Sequence, residues 1–398
     1  MHHHLARVVG DRIRFYRTAA HQTKTVVAGL TGITPDYLYQ IERGQKLPTI
    51  AVLAQLADVL RVELGDLLSP APAADDKHTI AKVGATIHRA LTGPLPEPTN
   101  EPKLAELHHD VLDAWATWQT SPIRYSLLTA RLPGLIVETE VALRVAEARD
   151  RRAAHRCAAD LYGLVRTVTK RIGRRDVSLL VADRAIRAAE VADDPVRLAA
   201  ANWNLAQVLL ADNEPEMAGA TAIQARESLQ SRVCESTDAR AVSGSLLLIS
   251  AIAAVRRGNP WTARDRLREA VTLAAQVGER NTCWTAFGPT NVAMYAVSVE
   301  IESGEAVEGL RLAKKIDQGR SPSIERRVAF LLDQAKGHGQ RRDYAAALQL
   351  LNTAENEAPE DIRHRPSAHA VLHTVMERGR RSTAAEAARL AGEIGLPQ

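Results

Sequence analysis

The chain has few aromatic residues: three Phe, five Trp and seven Tyr make up 4% of 398 positions. Ala, Leu and Arg are abundant instead, which favours many short helices packed through small residues over a β-sandwich. Cysteine is scarcer still. Cys157, Cys234 and Cys283 are odd in number and stand at no metal-ligand or redox spacing, which points to a reduced, cytoplasmic protein. Long apolar runs are missing too: the longest, SLLLISAIAAV (245–255), ends at Arg256-Arg257 and is too short to span a bilayer. No secretory leader is expected, and MHHH reads equally as native sequence or as a tag remnant. Neither a Gly-rich phosphate loop nor a nucleophile elbow occurs, so neither an enzyme nor a cofactor is expected. His369 and His373 stand four apart near His364 and Glu377. No third ligand of fixed geometry accompanies them, and no metal site is expected. His108 and His109 point to different faces of their helix.

What is present begins with charge in one place. At 45% hydrophobic and 25% charged, the chain can build a real core and is long enough for two or three domains. Its net charge is +4, and residues 1–48 carry all of it: Arg7, Arg12, Arg14, Arg17, Lys24, Arg43 and Lys46 against Asp11, Asp36 and Glu42. The remainder is balanced. A basic N-terminus is where a polyanion would be held.

Helical spacing puts Leu5, Val8 or Val9, Ile13 and Tyr16 on one face of a first helix. Thr23 caps a second, with Val26, Val27 and Leu30 inward. Gly32 supplies a left-handed turn. Thr34 and Pro35 start a third helix anchored by Leu38 and Ile41 and ended by Gly44, and Thr49 caps a fourth. Two short helices, a small Ala28 four residues before Gly32 and apolar anchors three apart meet the steric needs of a helix-turn-helix. RIRFYR, TKTVVAGLTGIT, YLYQIERG and LPTIAVLAQLADVLRVELGDLL together resemble the Cro/repressor-type (XRE) DNA-binding domain over residues 5–68. That resemblance implies a recognition helix after Gly32, with Asp36, Tyr37, Gln40 and Arg43 toward the bases. Gln40 suits adenine and Asp36 suits cytosine N4. It implies backbone contacts from Thr23, Lys24, Gln45 and Lys46, and an internal Arg17–Glu42 ion pair. Tyr39 could equally pack on a neighbouring helix.

SPAPAADD (69–76) reads as a short hinge. TGPLPEPTNEP (92–102) interrupts the chain again after a helix over 77–91. Residues 328–359 then fit a tetratricopeptide repeat through Ala335, Ala347, Leu351, Ala354 and Pro359. The frame recurs at Ala251, Ala263, Leu267 and Ala270, and at Ala206, Ala218, Ala222 and Ala225. Looser copies hold Ala182, Ile186 and Ala189, and Val297, Gly309 and Ala313. Small residues at these places let the helices of a hairpin touch and successive hairpins stack, giving an α-solenoid.

The carboxy-terminal half, through FGPTNVAMYAVSVEIESGEAVEGL and RRVAFLLDQAKGHGQRRDYAAALQLLNTAENEAPEDIRHRP, resembles actinobacterial (streptomycete) XRE–tetratricopeptide regulators. More distantly it is similar to peptide-sensing quorum regulators. The frame places Trp203, Asn204 and Gln207; Asn291, Met294 and Tyr295; Asp333, Lys336 and Gln340; and Leu248, Ile249, Ile252 and Arg256 on a concave groove suited to a peptide or mid-sized organic effector. The expected chain is all-α. Residues 1–68 form a five-helix XRE-type helix-turn-helix domain, 69–102 a hinge with a short helix, and 103–398 a tetratricopeptide-like solenoid for effector binding and homodimerisation. The expected partners are a double-stranded DNA operator and an effector, with no membrane. The alternative is a DNA-bound adaptor whose solenoid recruits a protein.

Overall fold

Every regular element among the described residues is helical, as the scarcity of aromatics and the abundance of Ala, Leu and Arg predict. The computed structural model describes residues 2–19, 22–60, 62, 64–68, 74–97, 103–233 and 236–396. Residues 69–73 of the expected hinge, residues 98–102 of the second breaker and Cys234 lie outside them, as do the side chains of Leu5 and of the first histidines. The chain divides into an N-terminal unit within Met1–Thr79 and a larger unit, Ile80–Ile394.

The N-terminal unit contains α1 (His2–Ala19), α2 (Lys24–Leu30), α3 (Pro35–Glu42), α4 (Ile50–Leu60) and α5 (Leu64–Leu68). Val9, Ile13, Val27, Ala28, Leu38, Ile41, Leu56 and Leu67 close its core. Gly32 has φ +65°, a backbone setting that an L side chain adopts only with strain. The expected inward face of α2 needs correction. Val26 and Leu30 are 49% and 63% exposed, and the inward stripe is instead Val27, Ala28 and Thr31. Thr31 turns its hydroxyl onto the Val27 carbonyl at 2.7 Å, which lets a polar residue end a buried face without cost. Gly10 on α1 was not singled out by pattern. A methyl group there would overlap the Ile41 carbonyl oxygen, so α1 and α3 meet backbone to backbone.

The larger unit begins within α6 (Ala74–Thr92), which leads into antiparallel pairs. These are α7 (Leu104–Thr120) with α8 (Arg124–Val145), α9 (Arg151–Arg171) with α10 (Arg175–Val191), and α11 (Pro195–Ala211) with α12 (Pro215–Val233). They continue through α13 (Thr237–Arg256) with α14 (Pro260–Val277), α15 (Pro289–Glu302) with α16 (Ala306–Ala313), and α17 (Ile324–Gln340) with α18 (Tyr344–Glu357). Short α19 (Pro359–His364) precedes a last pair, α20 (Pro366–Arg378) and α21 (Arg381–Glu393). Within the pairs, Ala206, Ala218, Ala251, Ala263, Ala335 and Ala347 are wholly buried. The first helices form an inner layer in which α9, α11, α13, α15, α17 and α20 touch in succession, a helical-repeat body. The layer bends back on itself: α17 reaches α7, and α19 reaches α8. Among the described residues only α13 has the length and apolarity of a membrane span, and 89% of that stretch is buried, so it is a core helix.

Candidate nucleic-acid interface and ligand cleft

Local devices present α3. The Thr34 hydroxyl accepts from the Tyr37 amide at 3.2 Å, and Pro35 occupies the first position, where a missing N–H costs nothing. Burial of Leu38 and Ile41 turns Asp36 and Arg43 outward, with Gln40 half-buried. The far end is fixed from α1: Arg17 donates from Nε and Nη2 to the two Glu42 oxygens at 2.6 and 3.1 Å, the expected internal ion pair.

The cations around α3 are less free than the sequence implies. Lys24 Nζ lies 3.6 Å from Glu42 Oε2 and 4.5 Å from the centre of the Tyr39 ring. Arg43 covers the same ring at 5.3 Å, and Lys46 lies over Tyr37 at 5.6 Å. The tyrosines are platforms that hold cations at the surface. Tyr39 is 40% exposed and does not pack inward. Tyr37, placed among the base contacts by resemblance, is half-buried against the core. It stands one turn before Ile41 and so shares the inward stripe. Thr23 uses its hydroxyl to cap α2, accepting from the Val26 amide at 3.4 Å. Gln45 and Lys46 are exposed beyond Gly44.

The larger unit holds an elongated cleft whose two lobes share Lys170, Gln207, Tyr295 and Arg326. The larger lobe encloses about 780 Å³, within the range of about 300–1,000 Å³ that takes organic ligands. Of the groove residues expected from sequence, Gln207 and Tyr295 line both lobes, Trp203 and Asn291 the smaller, and Ile249, Ile252, Arg256, Asp333, Lys336 and Gln340 the larger. Arg256 is tied to Glu302 at 2.9 and 3.0 Å, and Asp333 accepts from the Ser298 hydroxyl.

Three expected groove residues are elsewhere. Met294 is fully buried with Val297, Ile301 and Phe330, because one helical step carries it about 100° away from Tyr295. Leu248 is likewise core. Asn204 is buried and accepts from Arg166 Nη2, so it positions that guanidinium instead of facing the cleft.

Several lining residues escaped the sequence reading. Trp115, Trp118 and Trp284 wall the smaller lobe. Trp115 and Trp284 stack with ring centres 4.5 Å apart and planes 4° from parallel. Trp284 sits in an irregular stretch where Cys283, Trp284 and Ala286 all take left-handed backbone, at φ 48°, 57° and 51°. Such strain persists only where the surroundings impose it, and it gathers at ligand sites. The unusual ionic content was also missed. Arg166, Lys170, Arg171 and Arg326 line the smaller lobe with a single carboxylate, Glu325. Burial lowers Arg166 to about 9. Burial, then Arg171 and Arg166, push Lys170 well below its ordinary value. Glu325 stays ionised: burial opposes this, but Arg171, Arg365 and Arg124 hold its carboxyl well below the usual range. Among the described residues no cluster of His, Cys, Asp and Glu is arranged to hold a metal, and His369 Nε2 lies 3.0 Å from the Arg363 carbonyl.

Residues 8–70 match a family model described as a helix-turn-helix domain. The HTH-type transcriptional regulator YazB of Bacillus subtilis is 37% identical over 65 residues, which are 16% of this chain and 94% of that protein. The HTH-type transcriptional regulator Rv0474 of Mycobacterium tuberculosis is 42% identical over 53 residues, 13% of this chain and 38% of its own length. Among solved structures, PlcR of Bacillus thuringiensis in complex with the peptide PapR7 and DNA overlaps 68% of this chain and 95% of its own at 13% identity and a TM-score of 0.30. The apo competence regulator ComR of Streptococcus vestibularis overlaps 98% and 99% at 12% identity and a TM-score of 0.24. Superpositions this loose establish nothing about what this chain binds.

Proposed function

The chain belongs to the helix-turn-helix-type transcriptional regulators, and we propose that within them it is a sequence-specific regulator whose helical-repeat body senses a peptide or small-molecule effector. In this reading α3 enters the major groove. Asp36, Gln40 and Arg43 face the bases, while Lys24, Lys46, Gln45 and Thr23 hold the phosphates. The regulator acts as a homodimer with half-sites one helical turn apart, about 34 Å, and its 103–398 region, tetratricopeptide-like in pattern, carries the effector. The observation that carries the sensing half is the cleft, whose larger lobe of about 780 Å³ combines apolar Ile249, Ile252, Leu332 and Val371 with the amides of Gln207 and Gln340 and a set of charged side chains, a lining that suits an organic ligand bearing polar groups.

The test has two parts. Genomic fragments selected in vitro on the full chain should yield a repeated sequence motif bound in a salt-sensitive manner. Small-molecule fractions of a cell extract should then raise the melting temperature and change affinity for the selected fragment. A body that instead co-purifies with a protein at fixed stoichiometry and responds to no fraction would make the chain a DNA-bound adaptor.

A further inference from the structure

We infer that the ligand of the cleft is an acid, with a carboxylate or phosphate held by Arg166 and Lys170 and a flat apolar body lying against Trp203, Trp284 and Tyr295. The inference rests on the cleft being the effector site and names the chemistry of what fills it.

Arg166 and Lys170 lie one turn apart on α9, so two cations face the same lobe and repel each other. The lobe's one carboxylate is already used. Glu325 accepts from Arg171 Nε at 2.9 Å through one oxygen and from the Trp118 indole N–H at 3.0 Å through the other. Asp333 has Ser298, and Arg326 stands in its field. What remains for Arg166 is the neutral amide oxygen of Asn204, and for Lys170 that of Gln207 at 3.3 Å. Arg166 is 3% exposed, and its Nε has no hydrogen-bond partner among the described residues. Trp203 Nε1, Asn291 Oδ1 and Arg326 Nε, all on the same lobe, are likewise buried without hydrogen-bond partners among the described residues.

A buried cation whose hydrogen-bonded partner is a neutral amide costs folding energy; Arg166 is such a group, half-buried Lys170 stands likewise one turn on, and the field of Glu325 offsets the cost only in part. Fork-shaped guanidinium donors fit two oxygens of one acid group, and such bonds are strongest where water is excluded. The ring surfaces lie close at hand. Arg166 stands 5.8 Å from the Trp203 ring centre, Arg326 stacks on Tyr295 at 4.1 Å, and Trp284 is fixed by its stack on Trp115. An acid group at Arg166 and Lys170 therefore places an attached ring among these side chains.

The experiment uses the full chain with three probes of one shape: phenylacetate, phenyl phosphate and the neutral phenylacetamide. Thermal shift and tryptophan fluorescence are read for each at equal ionic strength. At least one acid should bind tenfold or more tighter than the amide, and the better of the two says whether the group is carboxylate or phosphate. Arg166→Met and Lys170→Gln should each weaken that acid at least tenfold while leaving the unliganded melting temperature unchanged or higher, since each removes an uncompensated charge. Amide binding equal to acid binding would overturn the inference and leave the cleft a ligand site. If none of the three binds, the inference falls, and the extract fractions decide the effector reading on their own. If both variants lower the melting temperature without changing acid affinity, the two cations are structural and the inference is likewise overturned.

Discussion

Arg124 Nη2 meets Asp361 Oδ1 at 2.7 Å, with neither side chain exposed at all. The pair joins α8 to α19 and so ties the start of the helical-repeat body to its far end. Asp361 also accepts from the Tyr125 hydroxyl at 2.8 Å and from Arg365 Nε at 2.5 Å, while Arg365 Nη2 reaches the Glu325 carbonyl at 2.9 Å. The clasp thus ends on the helix that supplies the smaller lobe's carboxylate, Glu325.

Asp361→Asn should destabilise the body severely, because it leaves two buried guanidinium groups facing a neutral amide. Removing one partner of a buried ion pair costs on the order of 3–5 kcal/mol, and denaturant titration followed by circular dichroism measures it. The same residue sets an acid limit. Burial alone would raise its carboxyl, but Arg365 and Arg124 outweigh it and hold it at about 2, below the ordinary 3.8. Its contribution is therefore complete above pH 3.8 and is lost as pH falls through about 2. Wild type should lose stability across that window more steeply than the variant.

Lys170 gives the opposite sign. Burial first, then Arg171 and Arg166, lower its folded-state value well below 10.5. The unfolded chain then binds more protons between the two values, so unliganded stability should rise with pH across the window below 10.5. Lys170→Met should remove that part of the slope. Melting curves of the two proteins, subtracted at matched pH, isolate it from other titrating groups.

Gly10 is the residue on which the position of α3 turns. A methyl group there meets the Ile41 carbonyl and the backbone of Glu42 and Gly44, and none of these can rotate aside. Gly10→Ala should displace the end of α3 and strain the Arg17–Glu42 pair, with a cost of roughly 1–3 kcal/mol as for other overpacked sites. A much smaller effect from Gly29→Ala, whose Cβ would meet nothing, serves as the control in the same melting assay.

The two units differ in how much of them the sequence discloses. The helix-turn-helix was legible because its determinants are local: Thr34 caps, Gly32 turns, and Leu38 and Ile41 recur at helical spacing. Gly10 was not, since its partner lies over thirty positions away and an isolated glycine in a helix carries no pattern. In the body, the alanines at hairpin contacts were legible for the same local reason. The return of α17 to α7 and of α19 to α8 was not, because closure joins residues such as Tyr125 and Asp361, which lie 236 positions apart. The cleft inherited this difference. Gln207 and Tyr295 followed from helical period, whereas Trp115, Trp118 and Trp284 arrive through closure and an irregular turn. Met294 was misplaced because the repeat intervals drift, and one residue of drift turns a side chain by about 100°.

On DNA, charge and base reading should separate. Lys46→Ala and Lys24→Ala remove cations that Tyr37 and Tyr39 hold at the surface. Any of them on a phosphate should weaken binding to every fragment alike and lower the salt slope by about 0.9 per contact. Gln40→Ala should leave that slope unchanged and lose about 1–3 kcal/mol of discrimination at one base pair, because a bidentate amide pairing carries sequence and no charge. Fluorescence anisotropy over a salt series, on a selected fragment and single-base variants of it, distinguishes the two behaviours. Equal loss of slope in all three variants would mean that α3 contributes only charge, and that selectivity comes from another surface.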